Sequence, residues 1–349
     1  MKKISIFLVI VALLITAGLY MAGCSQAEAV VDATAAEAAE EVTETTDDSE
    51  VVAGNSYHFI LVNNMVTWSH FYPDYIGAQT ACEDIKAATG DEITFEVVGP
   101  SENNIMAKVE AMESAIAKNP DGFMVICWDS AMLQSPINKA MAAGIPVVTI
   151  DADSPDSDRL CYIGTDWTAI GEELGKALMR EIDGKGKVAG LMLVGADNME
   201  TAWAAFERVV AEYPDVEIIA KEHDNGQPEE SARITAALIQ ANPDIAGFAG
   251  FDAGSGPGIV TAVKEAGKAG VIKVVGNDIN TPQLQAVAEG SEQFIIGQKR
   301  EFFGYYGVTM LYQHLTSSVK FTDNDEVANI INIPPTCDNR TSFCHRRQL

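Results

Sequence analysis

The chain has 349 residues, and its 50 acidic against 23 basic residues give a formal net charge of −27. Such a balance argues against nucleic-acid binding, which depends on Lys and Arg neutralising phosphates. A chain of this length normally divides between two hydrophobic cores, so two domains are expected.

The N-terminus has the pattern of an export signal. Lys2 and Lys3 precede an uncharged apolar run over residues 4–23, as in secretory signals. The run ends in Met21-Ala22-Gly23-Cys24, which resembles the lipobox of bacterial lipoproteins and implies cleavage before Cys24 and lipidation of its thiol. An uncleaved membrane helix is the alternative, because about 20 apolar residues can span a bilayer. Either way, the remaining chain is expected outside the cytoplasmic membrane, lipid-anchored in the first case.

An acidic tether follows the signal, over residues 24–55. Between Ser25 and Glu50 there are nine acidic residues and no Lys or Arg. A segment of this composition repels itself and buries little apolar surface, so an extended, disordered tether is expected. Thr and Asp, which dominate its second half, disfavour the alternative of an amphipathic helix.

From Tyr57 onward, short apolar runs alternate with segments of helical periodicity. Ten strands are predicted, at Tyr57–Val62, Ile93–Val98, Gly122–Cys127, Pro146–Ile150, Leu160–Ile163, Val188–Val194, Val216–Ala220, Ala246–Ala249, Ile272–Val275 and Phe294–Ile296. Between the second and third, Ile105, Val109, Met112 and Ile116 form one apolar helix stripe. The continuous Val/Ile character of GFMVIC and IPVVTI indicates strands covered on both faces, hence an α/β fold with mostly parallel sheets.

Polar and aromatic residues follow almost every predicted strand. The loops read NNMVTWSHFY, WDS, DAD, GADNMET, GFDAGSG, GNDIN and GQK. In open α/β sheets, ligands bind beyond the carboxyl ends of the strands. Carboxylates and amides pair with hydroxyl groups, and aromatic rings cover the apolar faces of a sugar, so this chemistry favours a polyhydroxylated ligand.

Four groups of segments follow one another along the chain: NPDGFMVICWDS with INKAMAAGIPVVTIDADSPDS, CYIGTD with TAIGEELGKAL, GKGKVAGLMLVGADN, and VVGNDINTPQLQAVAEG. In this order they resemble the substrate-binding lipoprotein of a ribose-type sugar ABC transporter, of the type I periplasmic-binding-protein family that also includes LacI-like receptors. The resemblance covers residues 57–333, and its specificity lies in the order of the segments. It implies two similar Rossmann-like lobes joined by three hinge crossings, near Thr165, Gln298 and Asn329.

The resemblance also implies a domain division and a set of ligand-binding residues. The N-terminal lobe is expected over 56–165 plus 298–328, the C-terminal lobe over 166–297 plus 329–335, and a tail of unknown role over 336–349. The implied ligand-binding residues are Trp68, Phe71, Tyr72, Asp129, Asp151 and Asp153 in the first lobe, Asn198, Glu200, Phe251, Asp252 and Asp278 in the second, and Gln298 at the second crossing.

One departure from the family concerns charge. Sugar receptors of this type often place an Arg beside the fourth-strand Asp and another in the second-lobe loop, where this chain has Ala152 and Thr201. Buried carboxylates without cationic partners are costly. A cationic or amino-bearing ligand is therefore a hypothesis, alongside a bound cation or partly hydrated carboxylates.

Other candidate residues have competing interpretations. For Trp128, ligand contact and packing are equally compatible with the sequence. For Trp203, packing is favoured. Asp166, with Thr165, is expected to cap a helix. His70 is the one histidine that could belong to the site.

The cysteines predict neither a disulfide scaffold nor a metal site. Six are present without a CxxC pair, and lipidation of Cys24 leaves five, although an exported location permits a bridge. Cys337 and Cys344-His345 have no second ligand cluster nearby in the sequence, so no metal and no cofactor are expected.

The expected function is capture of a sugar or related polyol by a monomeric receptor that delivers it to an ABC permease, without enzymatic activity. A lipoprotein that presents its bound ligand to a sensor kinase or chemoreceptor is the alternative. An NAD-linked enzyme is disfavoured because the first loop lacks GxGxxG. A hydrolase is disfavoured because GFDAGSGPG does not have the spacing of GxSxG.

Overall fold

Strands and helices alternate through the computed structural model, which describes residues 54–317, 333–339 and 342–345. The predicted signal, the tether up to residue 53 and the predicted hinge at Asn329 lie outside the described residues.

The described strands are β1 (Ser56–Val62), β2 (Glu92–Val98), β3 (Gly122–Val125), β4 (Val147–Asp151), β5 (Cys161–Gly164), β6 (Lys185–Met192), β7 (Asp215–His223), β8 (Ile245–Gly250), β9 (Lys273–Asn277), β10 (Phe294–Gly297), β11 (Thr336–Asp338) and β12 (Ser342–His345). The helices are α1 (Tyr72–Thr89), α2 (Ile105–Ile116), α3 (Ser130–Ala142), α4 (Trp167–Glu181), α5 (Asp197–Val210), α6 (Pro228–Ala241), α7 (Ser255–Glu265), α8 (Thr281–Glu289) and α9 (Glu301–Thr316).

Two six-stranded sheets organise the molecule. The first has the order β11-β5-β4-β3-β1-β2 and the second the order β12-β10-β9-β8-β6-β7. All pairings are parallel except that of β12 with β10. The predicted α/β fold with two parallel sheets is confirmed, and the ten predicted strands correspond to β1 to β10.

Each sheet is covered by helices on both faces and forms a lobe. In the first lobe α1 packs on α9 and α2 on α3, and in the second α4 packs on α5 and α6 on α7. The alternation along β1 shows the consequence, since Phe59 and Leu61 belong to one hydrophobic cluster and Ile60 and Val62 to another. Burial of both faces explains why these strands read as continuous apolar runs.

A close helix crossing holds α1 against α9. A Cβ placed on Gly77 would lie 1.7 Å from the carbonyl oxygen of Glu301, and one on Gly304 would lie 1.8 Å from that of Asp74. Only glycine permits this approach. It brings the first turn of α1, which carries Asp74, beside the start of α9.

The described elements define three crossings of the chain between the lobes. The first two crossings lie between β5 and α4 and between β10 and α9. Asp166, in the first, accepts a hydrogen bond from the N–H of Ala169 at 3.1 Å, so its predicted role as a helix cap is confirmed. The third lies between Asp338 and Ser342, because β11 belongs to the first sheet and β12 to the second.

This last crossing corrects the expectation of a tail over 336–349. Asn339 donates its backbone N–H to the carbonyl of Gly164 at 2.8 Å and its Nδ2 to the carbonyl of Lys299 at 2.5 Å. One residue of the expected tail therefore joins all three crossings. The strands on either side of it have three and four residues, too few for a recognisable apolar run.

None of the helices in the described ranges is both long enough and apolar enough to span a membrane.

Candidate functional site

Aspartates stand where strands of both sheets end, facing the cleft between the lobes. Asp151 closes β4 with φ 65°, and Asp278 follows β9 with φ 79°. Left-handed backbone is uncommon for residues with a side chain, and such conformations cluster at ligand sites. Asp252 lies in the loop that follows β8, after Phe251. The three side chains line one cavity.

Arg300, at the start of α9, ties the first-lobe wall of this cavity together. Its guanidinium donates to Asp151 Oδ1 at 3.0 Å and Gln298 Oε1 at 3.1 Å through Nη1, and to Asp74 Oδ2 at 2.7 Å through Nη2. The ring of Phe71 lies 5.1 Å from its Cζ. With 5% of Arg300 exposed, these charges are removed from water and compensate one another.

Arg300 corrects the expectation of a cleft without arginine. The family pattern places arginines at the positions of Ala152 and Thr201. In this chain the guanidinium comes instead from Arg300, at the second crossing. Asp74 is 226 residues away from Arg300 in the chain and Asp151 is 149 residues away. Sequence spacing contains no signal for such pairs. Charge imbalance therefore no longer motivates a cationic ligand on its own.

Unlike Asp151, the carboxyls of Asp278 and Asp252 have no cationic hydrogen-bond partner among the described residues. Burial raises the pKa of Asp278 to about 7, with Arg300 opposing the rise and the Asp151 carboxylate adding to it. Near neutral pH this group exchanges a proton readily, so it can donate a hydrogen bond when protonated and accept when ionised.

The second-lobe wall carries polar atoms without partners. Asn198 is 7% exposed, and neither its Oδ1 nor its Nδ2 has a hydrogen-bond partner in the described structure. Asp252 Oδ1 accepts from the N–H groups of Gly254 and Ser255, both at 2.8 Å, while its Oδ2 is unpartnered. Burial, reinforced by the Asp224 carboxylate, raises the pKa of Asp252 to about 7. Buried polar atoms that are left open are costly, so they point to a ligand or water.

The cavity between these walls is small. Its lining consists of Trp68, His70, Trp128, Asp151, Trp167, Asn198, Met199, Asp252, Ala253, Asp278, Gln298 and Arg300. Its volume is about 10 Å³, which suffices for about one water molecule. Across the cleft, Asp197 donates its N–H to the carbonyl of Trp128 at 3.1 Å and accepts from the N–H of Ser130 at 2.9 Å. The lobes are thus in contact, as in a closed receptor.

Two larger chambers adjoin this central cavity. An outer chamber of about 530 Å³ shares Trp68, Asp278 and Arg300 with it. A second chamber, of about 210 Å³, shares Trp128. Opening of the lobes would merge these spaces into one cleft.

Six of the twelve residues proposed from the sequence line the central cavity, namely Trp68, Asp151, Asn198, Asp252, Asp278 and Gln298. His70 and Trp128, both left open from the sequence, also line it. Burial and the Arg300 charge hold the pKa of His70 well below its usual value, so this imidazole is neutral at physiological pH.

The three proposed aromatics besides Trp68 have other positions. Phe71 and Phe251 are fully buried, Phe71 between Trp68 and Trp128 and Phe251 against Trp203. Tyr72 is 50% exposed on α1. The rule that ligands bind beyond the carboxyl ends of strands identifies a loop, but it does not identify which residue of that loop faces the cleft. Packing of Trp203, favoured from the sequence, is confirmed.

The remaining three proposed residues have their own partners. Asp153 pairs with Arg159 at 2.5 Å, and Glu200 pairs with Lys221. Asp129 caps α3 by accepting from the N–H of Met132 at 3.0 Å and lines the second chamber rather than the central cavity.

Three cavity residues besides Arg300 were not proposed from the sequence, namely Trp167, Met199 and Ala253. Trp167 donates its indole N–H to the carbonyl of Asp151 at 3.1 Å and so supports the strained end of β4. Met199 follows Asn198 at the start of α5. Trp167 directly follows Asp166, which the sequence identified as a helix cap. This neighbouring position was the signal that could have indicated Trp167 as a site residue.

Comparisons with known proteins agree with this architecture. The family model of the periplasmic binding protein domain matches residues 65–318. The xylose/arabinose-binding protein XylF of Sulfolobus acidocaldarius is 22% identical over 278 residues, covering 75% of this chain and 67% of the relative.

Two solved structures share the fold. A glucose-galactose binding protein from Geobacillus stearothermophilus superposes with a TM-score of 0.74 at 24% identity, covering 84% of this chain and 99% of that one. An ABC transporter solute binding protein from Agrobacterium vitis, bound with α-D-tagatopyranose, has a TM-score of 0.73 at 26% identity and covers 84% and 95%. The prediction of a binding protein rather than an enzyme is confirmed by these relatives, and the chain belongs to the periplasmic binding protein domain family.

Proposed function

We propose that this protein is an exported solute-binding lipoprotein that captures a sugar or sugar-like polyol between its lobes and delivers it to an ABC permease. The single observation that carries the proposal is the set of buried, unpartnered polar atoms around the central cavity, on Asn198, Asp252 and Gln298. Together with Arg300 and Asp151 they offer donors and acceptors on both walls, as a polyhydroxylated ligand requires.

Capture follows from differential contact. A ligand that touches only one lobe does not favour closure, whereas one that satisfies Asn198 and Asp252 in the second lobe and the Asp151–Arg300 pair in the first stabilises the closed state. The crossings near Thr165 and Gln298 would absorb the rotation. Trp68 and Trp128 would cover the apolar faces of the ring.

The relatives support a sugar as the solute. Their names specify xylose and arabinose, glucose and galactose, and tagatose. Small rearrangements among the same residue types change which sugar fits, so the individual sugar has to come from experiment.

The test is a thermal-shift screen of residues 25–349 against pentoses, hexoses, polyols, amino sugars and nucleosides. A ligand at a hundred times its Kd adds about 2.7 kcal/mol to the free energy of unfolding, which such a screen detects. A sugar that stabilises the protein, with the shift lost in Asn198→Ala, is the expected result. If no sugar, polyol or amino sugar stabilises the protein, the proposal is wrong.

Lipid anchoring through Cys24 is part of the proposal and has its own measurement. The full chain expressed in a bacterium should partition with membranes, and Cys24→Ala should lower that fraction and abolish incorporation of a labelled fatty acid. Two acyl chains give stable anchoring, since each buried methylene contributes about 0.8 kcal/mol. Equal labelling of the variant would contradict lipidation at this position.

Delivery to a permease and presentation to a sensor require the same fold and site. A permease partner predicts that deleting the gene abolishes uptake of the identified sugar. A sensor partner predicts unchanged uptake and a lost transcriptional or chemotactic response.

A further inference from the structure

A lysine is fully enclosed beneath the second chamber of the cleft. Lys108, on α2, is 1% exposed. Its Nζ donates to Asn64 Oδ1 and to the carbonyl oxygen of Ile126. Both of these acceptors are neutral oxygens, whereas buried ammonium groups usually have a carboxylate partner. An ammonium has three protons, so one donor remains beyond these two bonds.

The charge on Lys108 persists at neutral pH despite its burial. Desolvation lowers the pKa of Lys108 to about 8, while the Cys127 and Asp151 groups oppose the drop. The ammonium is therefore mostly protonated at pH 7 and has no full ionic partner within the described residues. An enclosed charge of this kind is stabilised by an anion that enters the chamber.

A second open donor lies beside the lysine. Asn64 is 4% exposed, its Oδ1 is occupied by Lys108, and its Nδ2 has no partner in the described structure. Asn64 and Lys108 both line the second chamber, whose volume is about 210 Å³. These two donors therefore face a space large enough for a substituent of a bound ligand.

The start of α2 adds to the positive potential. Asn104 caps this 12-residue helix by accepting from the N–H of Ala107 at 3.1 Å, and Asn104 and Ile105 line the chamber. The N-terminus of a helix carries free N–H groups and the positive end of the dipole. Three sources of positive potential thus converge here: the ammonium, the side-chain amide and the helix start.

The chamber is not uniformly cationic. Asp129 also lines it, with Oδ1 held by the N–H of Met132. A ligand with an anionic group at the Lys108 end could donate hydroxyl hydrogens to Asp129, whereas a simple inorganic anion could not. Because Trp128 lines this chamber and the central cavity, one ligand can reach both.

We propose that the second chamber is a subsite for the anionic group of a sugar acid or sugar phosphate, bound by Lys108 and Asn64. The inference rests on the proposed sugar-binding function and names a substrate class for it. The carboxylate or phosphate accepts from Lys108 Nζ and Asn64 Nδ2, and the hydroxyl groups of the sugar extend toward Trp128 and the central cavity.

The test compares matched neutral and anionic ligands by calorimetry on residues 25–349 at pH 7. The pairs are galactose with galacturonate, xylitol with xylonate, and glucose with glucuronate and with glucose 6-phosphate. At least one anionic member should bind roughly 10- to 100-fold more tightly than its neutral counterpart, as expected for a charge-assisted hydrogen bond. The carboxylate and phosphate arms identify which anion is preferred.

Two variants assign the preference to the chamber. Lys108→Met removes the ammonium, and Asn64→Asp supplies an internal carboxylate that pairs with it; each should reduce the anionic-to-neutral affinity ratio by roughly 10-fold or more. Lys139→Met is the matched control, because Lys139 is an exposed lysine of the neighbouring α3 that pairs with Glu113, and it should leave the ratio unchanged.

The outcomes separate the two proposals. If neutral sugars bind and no anionic member binds more tightly, the subsite is wrong and the sugar-binding function stands. An anionic preference that survives in both Lys108→Met and Asn64→Asp also overturns the subsite. If no member of either set binds, the subsite is wrong, and the wider thermal-shift screen decides the sugar-binding function separately.

Discussion

In the first lobe, the charged groups facing the central cavity are mostly paired with one another, whereas in the second lobe the polar groups facing it are open. Arg300 joins Asp74 and Asp151 by hydrogen bonds of 2.7 and 3.0 Å, but Asn198 has no hydrogen-bond partner in the described structure. The first wall therefore contributes to stability without ligand. The polar groups of the second wall gain hydrogen-bond partners only when a ligand binds. Substitutions in the two walls should change stability in opposite directions.

The largest effect is expected for Arg300→Met. It leaves Asp74 and Asp151 buried without their cation, so the free energy of unfolding should fall by about 3–5 kcal/mol. Urea denaturation measures the change, with Arg159→Met as control, because its partner Asp153 is more exposed. Equal losses in the free energy of unfolding of the two variants would show that the buried ion pairs of Arg300 contribute no more than a more exposed ion pair.

The next effect concerns pH and Asp278. Its folded-state pKa, about 7, lies above the ordinary value, so the protonated folded form is favoured. Its contribution to stability is complete below the unfolded pKa of about 3.9 and is lost as pH rises through 7. Between pH 5 and 7 it should account for about 2–3 kcal/mol of declining stability.

Asp278→Asn should remove this part of the slope, as measured by urea denaturation at several pH values without ligand. Asp166→Asn is the control, because that side chain is an exposed helix cap. An unchanged slope in Asp278→Asn would mean that the carboxyl is not buried as described.

A gain in stability is expected for Asn198→Leu. Leucine removes two unpartnered polar atoms from a buried position, so the ligand-free protein should become about 1–2 kcal/mol more stable. Sugar affinity should fall at the same time by about 10-fold or more. Asn242→Leu is the control, since the Asn242 amide already bonds to the carbonyl of Leu238. A destabilised Asn198→Leu would remove the contrast between the two walls.

The smallest effect is expected for Tyr72→Ala. Tyr72 is half exposed on α1 and does not line the cavity, so sugar affinity should change by less than about 2-fold. Trp68→Ala, by contrast, should weaken binding by roughly 10-fold through lost ring contact. Similar losses of sugar affinity in both variants would show that Tyr72 belongs to the ligand-binding site.

The sequence predicted the parts of this molecule that depend on local pattern. Apolar runs located β1 to β10, and the rule that ligands bind at strand ends led to Asp151, Asp252 and Asp278. It failed where the outcome depends on contacts distant in sequence. Arg300 meets Asp74 only because glycines let α1 and α9 cross closely, and Lys108 is enclosed only once α2 packs on the first sheet.

The same limit explains the aromatics and the C-terminus. Phe71 and Trp68 are three residues apart, and only the turn between them decides that Phe71 faces the core. The strands β11 and β12 pair with the edges of the two sheets. The segment PPTCDNRTSFCH contains no apolar run that would predict them. Their prediction would therefore need the positions of the two sheet edges with which they pair.

Asn339 joins the backbones of all three crossings, so closure of the lobes has a single pivot. A protease that cut just after Asn339 would leave every residue that lines the central cavity in the chain, yet it would sever the third crossing between β11 and β12. Such a clipped receptor would still meet its ligand, but its lobes could twist as well as swing. The angle between the lobes would then no longer depend only on whether the cleft is filled.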